Sequence, residues 1–551
     1  MSCENSHSAK RIKQSFIVTG KTEAEIKADF VNLFSDELIL HVFQYLDAKD
    51  LSACARVSSH WHRLVNDPQS ASRVSLLHRP VPAHYRHPQR LRLSSSASHS
   101  EDWKDIYRVN HNWQTGNCRV IEFQPVPSVD RVPVSHIRLR HAPPSNPLVQ
   151  FTKHVILTAS YTVGSDPEII LWRAGEKDSK IGLLKSGIHK GVINDIYITC
   201  LKLDSVDEVE DEFGWQKRIV AGYSNGGFSI FEFDTILKDP THNWRYREVV
   251  NMPVRLCGEI PVIACALHYP ILVTCTAQFV LSVYEIVNAG EKVEYRLLHQ
   301  LISFICKPPL DISLEEKDDE ERGKSGEWRI IVAYATGVYG GGWTVGIQEI
   351  LFNSTSIIST THCSPQISSS VFSFAPITTI SYKSSHLITA HSDNTIQLFH
   401  VTNPNSILQC THTQTLYGHT GSVQAVAIDE YGKLISGAMD QSIKIWDLGI
   451  RGKAEEDMDE RREWEEKEIK EKGATGEAVC VVTLNDAMDM DVESKGVNWL
   501  GFDEGRIVSV NGGWQDGSMV RVGNGENAPA GWTSNGQFGV GVVKVWSFCD
   551  E

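Results

Sequence analysis

The sequence is short of the features that announce a membrane protein, a secreted protein or an enzyme. No run of its 551 residues approaches the apolar length of a transmembrane helix, so none is expected to cross a bilayer. The opening MSCENSHSAKRIKQSF has no apolar h-region, and no secretory signal is expected there. Its Lys10-Arg11-Ile12-Lys13 is too short to argue nuclear import. Twelve cysteines are scattered without CxxC pairs or tight His/Cys clusters. They are expected to be reduced thiols packed as small hydrophobes, not metal ligands, in the cytoplasm and/or nucleus. No P-loop, zincin motif or nucleophile elbow stands out. The glycine-rich GNGENAPAG at 523–531 follows no strand-to-helix phosphate context. No cofactor, no metal and no catalytic residue are expected.

What is present begins with length and charge. A chain this long exceeds one ordinary core, so two or more domains are expected. The 41% hydrophobic content and the mean hydropathy of −0.22 are those of a soluble globular chain. The net charge of −15 is unevenly spread. Segments 204–212 (DSVDEVEDE), 311–327 (DISLEEKDDEERGKSGE) and 453–472 (KAEEDMDERREWEEKEIKEK) account for all of it, leaving the remainder formally neutral. The acidity therefore reads as solvated insertions, and a general duplex-DNA binder is not expected.

Phe34 to Pro68, FSDELILHVFQYLDAKDLSACARVSSHWHRLVNDP, reads as three short helices in quick succession. Ser35 is an N-cap, followed by Asp36 and Glu37 where the helix dipole favours negative charge. Leu38, Ile39, Val42, Phe43 and Leu46 recur at helical spacing and make one apolar face. Asp47 caps a second helix carrying Leu51 and Cys54, and Ser58 a third carrying Trp61, Leu64 and Val65. So small a bundle buries too little surface to stand alone, and part of its apolar face should meet a partner.

That pattern resembles the F-box, the module by which substrate receptors dock on the Skp-type adaptor of cullin–RING (SCF) ubiquitin ligases. The family's usual Leu-Pro opening is Phe34-Ser35 here, while Glu37, Leu38-Ile39, Phe43, Tyr45-Leu46-Asp47, Leu51, Val57 and Trp61 fall in register. The resemblance implies adaptor contacts from Phe34, Glu37, Leu38, Ile39, Leu46, Leu51, Val57 and Trp61.

The rest of the chain repeats irregularly. The clearest unit, 416–448 (LYGHTGSVQAVAIDEYGKLISGAMDQSIKIWDL), has Gly418-His419, three alternating strands separated by turns, and a terminal Trp446-Asp447. It resembles a WD repeat, one four-stranded blade of a β-propeller. The resemblance implies a structural hydrogen-bond clasp of His419, Ser436, Asp440 and Trp446, with Ala438 at the other position open to the hydroxyl. A catalytic Ser–His–Asp reading of the same residues is disfavoured, because their spacing is that of a blade's internal clasp.

Six further third strands match it: IILWRA (169–174), FSIFEF (228–233), LSVYEI (281–286), VGIQEI (345–350), IQLFHV (396–401) and VKVWSF (543–548). Asp166, Asn225, Gln278, Asp393 and Asp440 lie at hairpin-turn positions upstream of the third strands. Seven units make one ring. The last stops after its third strand, so an outer strand must come from elsewhere or an edge stays exposed, and Cys118–Phe123 is the natural donor.

The expected fold is thus mainly β: a seven-bladed WD-repeat propeller preceded by a small all-α F-box bundle and a linker helix. Residues 1–30 read as disordered, 31–68 as the F-box, and 69–117 as a flexible insertion with the linker helix. The propeller follows at 118–551, with an exposed helix inserted at 453–472 on the strength of its Glu–Lys pairs at i,i+4. The weakly basic 69–101 has no aromatic interleaving to support nucleic-acid binding. WKDIYRVNHNWQTG at 103–116 resembles the linker helix and Asn-Trp-x-x-Gly lead-in of F-box/WD-repeat proteins.

The family implies a non-catalytic substrate receptor, with a Skp-type adaptor and cullin–RING ligase at one end and an unknown protein substrate at the other. The alternative is a non-degradative scaffold built on the propeller. The acidic insertions are expected to crowd the face carrying the one–two and three–four loops. The target should then meet the opposite face, with loop 511–541 overhanging its rim.

Overall fold

The computed structural model describes residues 34–65, apart from 44–45 and 47, and residues 103–549 with interruptions. The interruptions fall at 126–136, 140–147, 163–165, 177–179, 187–195, 207–208, 212–213, 236–243, 253–259, 290–291, 304–305, 320–323, 339–340, 366–372, 404–406, 430–431, 449–477, 486–495, 513–519, 523–530, 535–536 and 539–540. The insertion read at 69–101 and the helix read at 453–472 lie outside the described residues. Two compact units emerge, one helical and one β, dividing between Tyr107 and Arg108.

The helical unit contains α1 (Asp36–Phe43), α2 (Ala48–Cys54) and α3 (Ser59–Val65). Ser35 sits where a cap must sit: its carbonyl accepts the N–H groups of Leu38 and Ile39. Ser58 Oγ accepts the Trp61 N–H at 3.2 Å and starts α3. Ile39, Phe43, Leu51, Ala55, Leu64 and Val65 form the interior, with the Phe43 and Trp61 rings meeting edge to face at 5.4 Å. Arg63 ties α3 back to Asp36 at 2.7 Å.

Helix α4 (Trp103–Thr115) leads into seven four-stranded antiparallel blades. Strands are counted from the innermost outward. Blade one is Val149–Phe151, Val155–Thr162, Glu168–Arg173 and Lys180–Lys185. Blade two is Ile198–Leu203, Gly214–Tyr223, Phe228–Asp234 and Tyr246–Asn251; blade three is Val262–His268, Ile271–Thr276, Val280–Ala289 and Lys292–Ile302. Blade four is Lys307–Asp319, Lys324–Val338, Gly342–Phe352 and Ile357–Cys363; blade five is Ile377–Lys383, His386–His391, Ile396–Thr402 and Gln409–Leu416. Blade six is Val423–Ile428, Lys433–Ala438, Ser442–Asp447 and Val479–Asn485.

Blade seven combines Val497–Phe502, Arg506–Asn511 and Val542–Ser547 with Arg119–Phe123 from before blade one. Arg119 pairs with Ser547 and Phe123 with Val543, so the closing strand is antiparallel and in unbroken register. The edge that the terminal strand would otherwise expose is covered.

Packing explains why the middle strands read as continuous hydrophobic runs. Successive side chains of a strand point to opposite faces, and each face of a blade meets a different neighbour. Ile330 packs toward blade three and Ile331 toward blade five; Ile219 packs toward blade one and Val220 toward blade three. A separate core fills each of the seven inter-blade spaces, including that between blades seven and one, where Ile121 and Phe123 join Ile156, Ile170 and Val508. Gly437 and Gly222 keep two of these spaces tight, for a Cβ at either would press within 2.6 Å of a neighbouring side chain.

Two acidic segments differ from the solvated insertions expected. Residues 311–319 belong to the first strand of blade four, whose long hairpin continues the ladder to Asp319–Lys324. Asp204 is buried, and its Oδ1 accepts the Tyr269 N–H of blade three at 3.2 Å. Asp311 Oδ2 likewise accepts the Tyr382 N–H of blade five at 2.9 Å. These acids tie neighbouring blades together, a role that composition cannot separate from solvation.

Loop 511–541 joins the second and third strands of blade seven, as its place in the sequence implied. It carries Val520–Val522 and Gly531–Ser534, which form a small sheet with Ile137–Leu139. Its Gln537–Phe538 pairs with Tyr161 and Thr162, extending blade one.

Candidate functional site

In the helical unit the eight residues assigned to adaptor contact fall into two groups. Ile39 and Leu51 are interior, 5% and 2% exposed, and hold the bundle together instead of presenting a surface. Leu46 and Trp61 are half-buried against the same core. Phe34, Glu37, Leu38 and Val57 are exposed. Leu38 shows 55% of its surface, and Val42, one helical turn further, shows 59%. Helical periodicity alone groups Val42 with the packing residues. Leu38 and Val42 stand four residues apart and face outward together, as Ile39 and Phe43 at the same spacing face inward. The Trp61 indole N–H is buried with no hydrogen-bond partner among the described residues. An exposed apolar stripe on so small a bundle is a surface suited to burial by another protein.

In blade six a chain of hydrogen bonds runs through four side chains. Trp446 Nε1 donates to Ser436 Oγ at 2.9 Å, and Ser436 lies 2.7 Å from His419 Nε2. His419 Nδ1 lies 3.1 Å from Asp440 Oδ2. Ser436, not Ala438, supplies the hydroxyl. Ser442, which the spacing did not single out, donates to Asp440 at 2.7 Å. Burial pushes the His419 imidazole below its ordinary pKa, against the pull of Asp440, so the ring is neutral near pH 7. Partial burial opposes the charge of Asp440, yet hydrogen bonds from Ser442 and the Thr420 N–H hold its carboxyl well below the usual range. Ser436 has no exposed surface and its oxygen already accepts the Trp446 N–H. A nucleophile must meet its substrate, and this hydroxyl is enclosed.

Other blades keep fragments of the clasp. Trp172 donates to Thr158 at 2.8 Å in blade one, and Trp546 to Ser509 at 3.0 Å in blade seven. In blade five Thr389 meets His391 at 3.0 Å and Ser373 donates to Asp393 at 3.0 Å. Blade two substitutes a carboxylate, Glu248 Oε1, which accepts Ser186 at 2.6 Å and Ser229 at 2.7 Å.

The end of α4 is anchored beneath blades six and seven, on the side of their one–two loops. Trp113 is buried, stacks on Phe548 at 4.0 Å and donates to the Glu504 carbonyl at 2.9 Å. Asn112 donates to the Phe548 carbonyl at 2.8 Å. Gly116 has a φ of +76°, and a Cβ there would press on Val482. These contacts give the Asn-Trp-x-x-Gly spacing its physical meaning. Lys433, which nothing in the sequence marked, places its ammonium over the Trp113 ring.

Among the described residues no group of three His, Cys, Asp or Glu side chains is placed to hold a metal, and no helix is long and apolar enough to cross a membrane. The described cysteines are free thiols. Burial raises Cys275 to about 12, and the contact with Cys265 at 3.5 Å together with burial raises Cys200 well above the ordinary thiol range, so these thiols stay protonated.

Comparison with known proteins agrees with this anatomy. The family described as the F-box protein pof12 beta-propeller matches residues 132–522, and an F-box-like family matches residues 36–76. The chain belongs to the pof12-type F-box propeller family. It is 23% identical over 430 residues to F-box protein pof12 of Schizosaccharomyces pombe, covering 76% of this chain and 84% of the relative. An F-box protein of Saccharomyces cerevisiae is 30% identical over 121 residues, 18% of this chain and 19% of that one. Among solved structures, the WD40 β-propeller domain of Doa1 aligns with a TM-score of 0.33 and 10% identity, over 75% of this chain and 97% of that domain.

Proposed function

We propose that this F-box protein is a substrate-recognition subunit of an SCF-type ubiquitin ligase, working in the cytoplasm and/or nucleus. The observation that carries the reading is the pairing of an F-box bundle, with Phe34, Leu38, Val42 and Val57 exposed, to a complete propeller on one chain. The apolar stripe docks a Skp-type adaptor, and the propeller holds the target protein. Bond chemistry belongs to the associated conjugating enzyme. This chain contributes by raising the effective concentration of the target's lysines near that enzyme.

The test is reconstitution. Full-length protein should capture the adaptor, and a variant lacking 34–68 should not, while the propeller remains folded. A bound partner should then be ubiquitinated by the assembled ligase. Capture of the adaptor without any ubiquitinated partner would favour a non-degradative scaffold. Unchanged capture by the deletion would remove the receptor reading altogether.

A further inference from the structure

The receptor reading leaves open what chemistry the target presents, and the loops of blades five and six bear on it. The turn between the second and third strands of a blade and the loop between blades emerge on the same face of a propeller. On that face Phe374 and Tyr417, in the loops leading into blades five and six, are each 73% exposed. Met439, in the two–three turn of blade six, is 49% exposed.

These large side chains stand on stiff supports. The Met439 N–H bonds to the Ser422 carbonyl at 2.9 Å, joining the turn to the loop that carries Tyr417. The Thr420 N–H bonds to Asp440 at 2.8 Å across the same junction. The loop of Phe374 is tied by Ser373 to Asp393 at 3.0 Å, and by the Trp343 N–H to the Ser373 carbonyl at 2.9 Å. Rigid apolar groups on a solvated rim are the form that interface anchors take, because little side-chain or loop entropy is lost on binding.

Charge then narrows the partner. Asp393 and Asp440 lie in the turns beside these groups, and both remain carboxylates well below neutral pH. Asp440 is mostly enclosed in the clasp, its side chain 11% exposed, whereas Asp393 is open to solvent. His419 and His391 are held neutral by burial and do not offset them. Among the described residues of 373–376, 391–395, 416–422 and 438–442 there is no lysine or arginine, and Lys444, whose stem lies beside Gly418, turns its ammonium to Thr483 Oγ1 at 2.9 Å. A phosphorylated segment needs converging cations, and this rim offers the opposite sign. The face expected to lie outside the protein's negative field therefore carries a local field of its own.

We infer that the target segment is unphosphorylated, apolar and basic, its apolar side chains resting on Phe374, Tyr417 and Met439 and its lysine or arginine facing Asp393. This rests on the receptor reading for its biological meaning, but the binding chemistry is testable alone. A random dodecapeptide phage library panned on the full-length protein should return apolar residues flanked by lysine or arginine. A synthetic peptide of the selected sequence should bind more weakly at high salt. Its apparent Kd should weaken by about tenfold or more in the Tyr417→Ser/Met439→Ser double variant, the scale of losing interface anchors. Both side chains are exposed, so an unchanged melting temperature separates lost contact from lost fold. Asp166→Asn, on blade one, should leave binding unchanged. Selection of acidic peptides, tighter binding after serine phosphorylation, or equal binding by the double variant would each overturn the inference. None of those results touches adaptor capture through the F-box, whose loss would sink the receptor reading instead.

Discussion

The ammonium of Lys433 lies 3.3 Å from the centre of the Trp113 ring, joining the last turn of α4 to the second strand of blade six. Both groups are buried, and Phe502 flanks the same ammonium at 5.9 Å. An aromatic face is among the few neighbours that stabilise a cation away from water. Trp113 thus serves as a plug for the core between blades six and seven and as a partner for a buried charge. Trp113→Ala should cost about 3–5 kcal/mol, the range for removing a buried large aromatic side chain, measured by urea unfolding of the propeller. A loss below about 1 kcal/mol would show that the helix end is merely resting on the ring.

Lys433 also sets a pH dependence. Burial drives its pKa down to about 7, against the pull of Asp429, Asp503, Asp447 and Glu504. An unfolded lysine titrates near about 10.4. Between those values the unfolded chain binds more protons, so stability rises with pH across the interval, and the full penalty applies below about 7. Lys433→Met keeps the packing and removes the titration. Its melting temperature should exceed that of the wild type most near about pH 6, the advantage shrinking by about pH 9. A constant difference across that range would show that the indole and the four carboxylates keep the lysine charged throughout.

Much of this architecture was legible because a propeller repeats its signals. The third-strand aromatic, replaced only by Gln348 in blade four, and the apolar second strand recur in the same order, with a turn residue before the third strand in five units, and ring closure followed from a missing fourth strand. Legibility ended where a residue's role depends on a neighbouring blade. Asp204 and Asp311 look like parts of acidic insertions, yet each accepts an N–H from the next blade. Lys433 sits in KLISGA like any strand-opening lysine, and only the fold brings Trp113 over it. In the F-box, periodicity marked the apolar positions but could not divide Ile39 and Leu51 inside from Leu38 and Val42 outside. On so narrow a bundle the inner and outer stripes are neighbours.

The blade-six clasp should matter through its polar atoms more than through its volume. Ser436→Ala leaves Trp446 Nε1 and His419 Nε2 without their shared hydroxyl in a buried site. About 1–3 kcal/mol should be lost, the cost of stranding buried polar groups. Acid should act in the same direction. Burial holds the folded His419 below its ordinary pKa, so clasp stability is lost as pH falls below about 6.5, where the unfolded imidazole protonates. The wild type and His419→Phe should converge in melting temperature as pH drops from about 7 to about 5. Parallel curves would place the acid sensitivity elsewhere.

Closure by Arg119–Phe123 can be tested by truncation. A fragment beginning at Gln124 leaves Val542–Ser547 with an unpaired edge and removes Ile121 and Phe123 from the core between blades seven and one. It should aggregate or melt early. A fragment beginning at Trp103 keeps both the strand and the Trp113 plug and should be soluble and cooperative. Equal melting of the two would mean that the ring holds without its borrowed strand.

The final prediction separates packing from docking within the F-box. Ile39→Ala and Leu51→Ala remove side chains from the interior of a bundle with few others to replace them, so both should cost about 2–5 kcal/mol and unfold the unit. Circular dichroism of the isolated segment is uninformative for so small a bundle, so its folding is better followed in the full chain by hydrogen exchange over 36–65. Leu38→Asp and Val42→Asp change exposed positions and should leave that exchange pattern intact. They should nonetheless weaken adaptor capture by about tenfold or more each, because a carboxylate buried against an apolar partner surface has no counter-charge. If both aspartate variants bind the adaptor normally while their exchange is unchanged, the outward stripe is not the docking surface. The search would then move to the half-buried Trp61 and the unsatisfied N–H it carries.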